Sequence, residues 1–325
     1  MPVEASEVEL SVERAAAGCS AAVLAVSGGL DSMVLLNAAA RLPAHTRRKI
    51  SVATFDHGTG KAAGRAAALV ARSAARVGFA CVMGRASTIG TREDEWRRGR
   101  WTFLREVAAQ RDANVVTAHT LDDQVETVFM RILRDAGPRG LAGLYADSTI
   151  VRPFLNFRRE SLASYALQHD IRFVQDPSNF DRKHLRNRIR LDILPSIVRH
   201  HPNFPAELLA LASQSAHWRR ALENLVELVE ARSEQDGALR ISRSSLQGYD
   251  AESLRVLWPA LAARASVVMD RRGTHRAAEF TIRGATGGTI QLSGGVEIVM
   301  RRDHLLLRRW RPPASGHRQR SEIRG

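Results

Sequence analysis

Three groups of residues have types and spacings that could do chemistry. The first is Ser27-Gly28-Gly29-Leu30-Asp31-Ser32, between the apolar run Ala22–Val26 and the run Met33-Val34-Leu35-Leu36. Two glycines after a strand let the backbone turn tightly and offer its N–H groups to an anion, and a following helix N-terminus adds a favourable dipole. The pattern reads as a phosphate cradle. It lacks the Gly-Lys-Ser/Thr of a Walker A loop and the spacing of a dinucleotide fingerprint. The second group is His119, Asp123 and Glu126, where a strand passes into a helix. At 100° per residue the two carboxylates lie about 60° apart on one face. Such a pair can bind ammonium groups, hold a metal or act as a general base, and it can also be a solvated acidic first turn. The third group is arginine: Arg97 and Arg100 one helical turn apart, and Arg186, Arg188 and Arg190 in a run, placed to contact phosphate or RNA.

The elements that must position these groups are legible in outline. Ala22–Val26, Ser51–Phe55, Phe79–Met83 and Asn114–Ala118 are strand-length apolar runs separated by segments long enough for crossover helices. This predicts an α/β fold with a doubly wound, mostly parallel sheet, its strands buried on both faces. Val125, Val128, Phe129, Ile132 and Leu133 mark an amphipathic helix over 122–133. The turn formers of His200–Pro205 suggest a linker between a catalytic domain over 1–200 and a smaller α+β domain over 206–310. In the second domain helices are expected from Ala206 to about Ala231. Alternating strands are expected over Glu279–Leu307, with Ser293-Gly294-Gly295 as a hairpin turn. Residues 311–325 read as a basic, disordered tail.

Composition narrows the partners. Of the 48 basic residues three are lysine (Lys49, Lys61, Lys183) and 45 arginine, and a net charge of +14 favours a polyanion. Cys19 and Cys81 supply neither a disulfide framework nor a cluster site, which points to a reducing cytoplasm. The N-terminal segment is acidic where a signal peptide would be basic, and no apolar run approaches a membrane span.

Seven further motifs follow the cradle in order. They are Phe55-Asp56-His57-Gly58, Glu93…Arg97…Arg100-Trp101, Ala118 through Thr127, Gly137 through Leu141, Arg152-Pro153-Phe154, Asp176-Pro177-Ser178-Asn179, and Arg186 through Arg190. From about Val23 to Pro195 the chain resembles the tRNA(Ile)-lysidine synthetase family of PP-loop, N-type ATP pyrophosphatases. Thr59-Gly60-Lys61 departs from the Leu-Arg usual there, so a phosphate contact from an arginine at this place is not carried over to this chain.

The resemblance implies a ligase that adenylates C2 of the wobble cytidine of tRNA(Ile) with a CAU anticodon and then joins free L-lysine to it, releasing pyrophosphate and AMP. It implies ATP on Ser27–Ser32 and Mg²⁺ on Asp31, since a carboxylate beside triphosphate only repels it unless a cation intervenes. His119, Asp123 and Glu126, with Asp31, are the expected catalytic residues, the two carboxylates facing lysine's ammonium groups, a metal or the amine's proton. Arg97, Arg100, Arg186, Arg188 and Arg190 are expected on tRNA or phosphate, and Asp176–Asn179 as an Asx-type turn. A homodimer is left open. A PP-loop tRNA thiolase would need cysteine pairs for a cluster. A small-molecule amidotransferase or NAD-synthesis ligase would not need the charge, and an inert RNA-binding protein would not need the intact loop and acidic helix.

Overall fold

The computed structural model describes residues 5–58, 60–86 and 93–310. The basic tail expected over 311–325, and Thr59, lie outside the described residues. Two units divide between Ala216 and His217. The first contains α1 (Ala5–Ala17), β1 (Ala22–Ala25), α2 (Leu30–Ala40), α3 (Ala44–Arg47), β2 (Ile50–Asp56), α4 (Lys61–Arg76), β3 (Cys81–Arg85) and α5 (Glu93–Ala109). It continues through β4 (Asn114–Thr117), α6 (Leu121–Leu133), α7 (Pro138–Leu141), β5 (Ile150–Val151), α8 (Arg159–Gln168), α9 (Leu185–Arg188), a π-helical turn (Ile189–Ile193) and α10 (Leu194–His200). The helix α11 (Phe204–Glu227) carries the chain past the division.

The five strands are parallel in the order β3-β2-β1-β4-β5. Both faces are covered because successive residues of β1 point to opposite sides. Leu24 packs with α1, α2 and α8 through Val8, Leu35 and Leu162, whereas Val23 packs with Leu104 and Val107 of α5. The doubly wound reading therefore holds. Strand order reverses between β1 and β4, which opens a crevice at their carboxyl ends.

Several boundaries differ from expectation. Phe79 is not in a strand: its N–H closes the end of α4 on Ala74 O (2.9 Å), and Gly78 turns there with φ 79°. The domain boundary is not the His200–Pro205 turn. That turn leads into α11, whose Leu208 and Ala212 pack on Val125 and Val128 of α6, with Phe129 and Phe204 edge to face at 5.8 Å.

In the second unit β6 (Ala231–Ser233), β7 (Leu239–Ser242), α12 (Ala251–Arg264), α13 (Arg271–Arg283), β8 (Thr289–Leu292), β9 (Val296–Met300) and β10 (His304–Arg309) build an antiparallel sheet of order β6-β7-β10-β9-β8. Residues 279–283, expected in a strand, finish α13, whose Ala277 and Ala278 are buried against the sheet in one core with Trp258, Ile298 and Met300. The expected turn at Ser293–Gly295 joins β8 to β9, and both glycines take positive φ (81° and 70°) as such turns require.

Candidate active site

The loop after β1 owes its shape to small residues. Gly28 has φ 86°, and a Cβ there would stand 2.9 Å from Ala66 Cβ and 3.0 Å from Ala66 O on α4, so only glycine fits. Ser32 Oγ accepts from Ser27 N–H (3.1 Å) and donates to Gly29 O (2.9 Å), while Ser27 Oγ lies 3.1 Å from it. Ser32, expected on phosphate, thus staples the loop from inside. Leu30 packs into the core and leaves only its backbone to the crevice. Gly28 O accepts from Val174 N–H (2.9 Å), tying the loop to the segment after α8.

Asp31 opens α2. Its Oδ2 meets Arg159 Nε at 3.3 Å, and its Oδ1 is buried without a hydrogen-bond partner. Burial pushes the carboxyl up to about 6; Arg159 pulls it down and Asp123 pushes it further up. A buried carboxylate oxygen with an open valence fits a divalent cation. Among the described residues no three His, Cys, Asp or Glu side chains form a cage, so Mg²⁺ would be held by Asp31 together with phosphate oxygens.

Across the crevice, Thr120 caps α6 through a reciprocal box: Asp123 N–H donates to Thr120 Oγ1 (3.3 Å) and Thr120 N–H to Asp123 Oδ2 (2.9 Å). The other oxygen, Oδ1, receives Arg186, Arg159 and Arg190 at 3.0, 3.1 and 3.4 Å. Glu126, almost fully buried, takes Arg190 Nε at 2.6 Å and Arg186 Nε at 2.7 Å, with Arg159 at 3.7 Å. Burial pushes Asp123 up, but Arg186, Arg159 and the Thr120 N–H outweigh it and hold the carboxyl below the usual range. Asp31, Asp123 and Glu126 are thus met by three guanidinium groups, a neutral set in a desolvated place.

Arg186 and Arg190, expected to face phosphate, are turned onto carboxylates, whereas Arg188 and Arg97 are exposed. Arg100 lies with its guanidinium 5.9 Å from the Trp101 ring and its Nε buried without a partner. Burial, then Arg97 and Arg186, bring it down to about 10. His57 Nδ1 is likewise buried and unpartnered, and burial and Arg100 hold its imidazole below the ordinary range. His119 Nδ1 sits 2.7 Å from Thr117 Oγ1, and burial lowers the ring to about 4 despite Asp123, with Arg152, Arg186 and Arg100 adding to the effect. It is a neutral hydrogen-bonding group near pH 7. Asp176 Oδ1 accepts from Ser178 N–H (2.9 Å) as an Asx turn should.

Arg159 is the residue the motifs missed. Its backbone N–H donates to Asp122 Oδ2 (2.7 Å), and its side chain bridges Asp31 to Asp123 and Glu126. One signal was available: Arg158 and Arg159 stand at the positive end of a helix dipole, where cations are unfavourable unless anions hold them.

Comparison with known proteins gives this arrangement its context. Residues 4–197 match the PP-loop domain family. A tRNA(Ile)-lysidine synthase from Methylobacterium nodulans is 36% identical over 253 residues, covering 74% of this chain and 72% of that protein. This chain belongs to the tRNA(Ile)-lysidine synthase family. A second member, from Thermosipho africanus, is 35% identical over 216 residues, 63% of this chain and 48% of its own length. The chain spans about half the length of several curated relatives it matches. A solved U34-tRNA thiolase from Methanococcus maripaludis, 14% identical with a TM-score of 0.51, covers 65% of this chain and 78% of its own and shares the fold. PP-loop domains of this family use ATP, and among the described residues no helix is long and apolar enough to cross a membrane.

Proposed function

We propose that this chain is a cytoplasmic ligase that joins free L-lysine to C2 of the wobble cytidine of tRNA(Ile) with a CAU anticodon. The observation that carries the reading is the single crevice in which Asp31, on the phosphate loop, is linked through its Oδ2 to the Asp123–Glu126 pair by one side chain, Arg159, while its buried Oδ1 is left open. Two half-reactions that share an intermediate need such adjacency.

In the first step the cytidine O2 attacks the α-phosphorus of ATP; the O–P bond forms, the Pα–O–Pβ bond breaks and pyrophosphate leaves. The Gly28–Gly29 backbone and the α2 N-terminus orient the triphosphate, and Asp31 holds Mg²⁺, which when bound neutralises phosphate charge. In the second step the lysine ε-amine attacks C2, the C2–O bond breaks, AMP leaves, and the amine's proton passes to the Asp123–Glu126 pair. An ε-ammonium with a reference pKa of about 10.4 is no nucleophile until that proton goes. Lysine's ammonium groups compete with arginines already seated on those carboxylates, and Arg159 is the one whose release frees oxygens on both halves.

Arg97, Arg100 and Arg188 contact tRNA phosphate, as do the second unit and the basic segment 311–325. Deleting that segment should flatten the salt dependence of tRNA binding by about 0.7–0.9 log units per lost contact and leave ATP affinity alone. The deciding experiment is mass spectrometry of the wobble nucleoside after incubation with CAU-anticodon tRNA, ATP and lysine. The mass of cytidine plus lysine less water is expected; unmodified cytidine refutes the reading.

A further inference from the structure

The second unit carries a cavity of about 900 Å³ with an unusual lining. Buried Leu246, Leu254 and Leu305 lie beneath it, Ile282 offers an exposed apolar surface in its wall, and its rim holds Arg232, Arg240, Arg243 and Arg302 against Glu230 and Asp303. Arg232 and Arg240 are register partners on β6 and β7, both exposed on the same face. Like charges directly opposite each other on antiparallel strands destabilise the pairing. Arg240 is partly compensated, by Asp303 at 3.8 Å, Glu234 at 4.0 Å and His304 Nδ1 at 3.1 Å. Arg232 and Arg302 have no carboxylate partner among the described residues, and Arg243 is spent on the backbone carbonyls of Arg301 and Arg302. Tyr249 stands 44% exposed at the rim.

From this lining we infer that the cavity binds single-stranded RNA, two or three nucleotides at a time. Arg232 and Arg302 take the phosphates, and Tyr249 and Ile282 take unstacked bases, whose faces stack on aromatic rings and guanidinium planes. A duplex would offer phosphates alone and leave the Tyr249 ring and Ile282 uncovered. The cavity lies wholly in the second unit and shares no residue with the crevice at the parallel sheet. The inference deepens the tRNA-modifying reading by naming a site for unpaired nucleotides of that substrate.

The test uses the full chain, saturated with ATP so that the PP-loop is filled, and a fluorescein-labelled RNA hexamer followed by anisotropy. Replacing Arg232 and Arg302 together by Gln should weaken hexamer binding at least tenfold and lower the salt slope by about 1.4, or about 0.7 per single-strand contact. Tyr249→Ala should weaken it about fivefold or more with the slope unchanged, because stacking releases no counterions. Replacing the exposed Arg272 and Arg276 together by Gln, away from the cavity, should change neither. Circular dichroism verifies that each variant is folded.

Equal losses in the two double variants would reduce the effect to bulk charge and overturn the inference. So would a Tyr249→Ala protein of full affinity, or a labelled RNA hairpin duplex bound as tightly as the hexamer. If the variants behave as expected while wobble cytidine stays unmodified, the cavity stands and the ligase reading falls; lysidine formed by a chain with an indifferent cavity gives the reverse.

Discussion

The phosphate loop and the arginine–carboxylate cluster face each other across one crevice and are built on opposite principles. The loop comes from six consecutive residues, uses backbone and hydroxyl groups, and contains one charge. The cluster gathers Asp31, Asp123, Glu126, Arg159, Arg186 and Arg190 from across 160 positions and consists of little but charge. A loop of the first kind fails when a side chain no longer fits; a cluster of the second kind fails when its charges no longer cancel.

That contrast can be broken from either side. The largest effect is expected from Glu126→Ala, which leaves Arg186 and Arg190 half-buried with one carboxylate between them. Removing one member of a buried ion-paired set costs about 3–5 kcal/mol, readable as a shift in the urea midpoint. Gly28→Ala should follow: a Cβ at φ 86° that meets Ala66 at 2.9 Å costs about 1–3 kcal/mol locally. It should also lower AMP formation at least tenfold while tRNA affinity in a filter-binding assay is kept.

The two halves can also be separated by pH. Asp31 is raised to about 6 in the folded chain, so the folded state binds its proton more tightly than the unfolded one. The stability it contributes is present below about pH 4 and lost as pH rises through 6. Asp31→Asn, which cannot ionise, should therefore lose less stability than the parent between pH 4 and pH 7.5, read as melting temperatures, while losing Mg²⁺-dependent AMP formation. Arg159 draws Asp31 down, so in Arg159→Met the acid limb of the AMP-formation profile should move above its parental position near pH 6. The smallest effect belongs to Thr120→Ala. Loss of the cap on α6 costs about 1 kcal/mol and should lower the melting temperature without displacing that acid limb.

How much of this the amino-acid order reveals depends on the distance over which each feature is made. The loop, the central strands and the Asp123–Glu126 face are local, and the glycine spacing and the 3.6-residue period expose them. β5 is two residues long, and β6 is three residues paired with β7, so neither leaves a period to read. Arg186 and Arg190 look like RNA contacts because an arginine run shows its charge and conceals its partner, here 60 residues or more upstream. Ser32 looks like a phosphate ligand because a hydroxyl in a glycine loop has the same spelling whether it faces in or out. Arg159 is the hardest to see, since two cations at the start of a helix announce that anions hold them without saying which, and its carboxylate partners come from other elements.

The π-helical turn Ile189–Ile193 sets the phase between two commitments of one segment. Arg186, ahead of the turn, and Arg190, within it, must face Glu126; downstream, Leu194 must face the apolar surface of α6 formed by Val125 and Val128. The wider turn absorbs the residue by which an unbroken α-helix would miss one of them. The wider turn holds one residue more than an α-helical turn, and an α-helix that kept that residue would be rotated beyond it by about 100°, forcing a choice between the ion pairs and the packing. Arg190 and the buried Ile189 fix two side chains of that turn; apart from them the segment behaves as a spacer whose information lies in a count rather than in a composition.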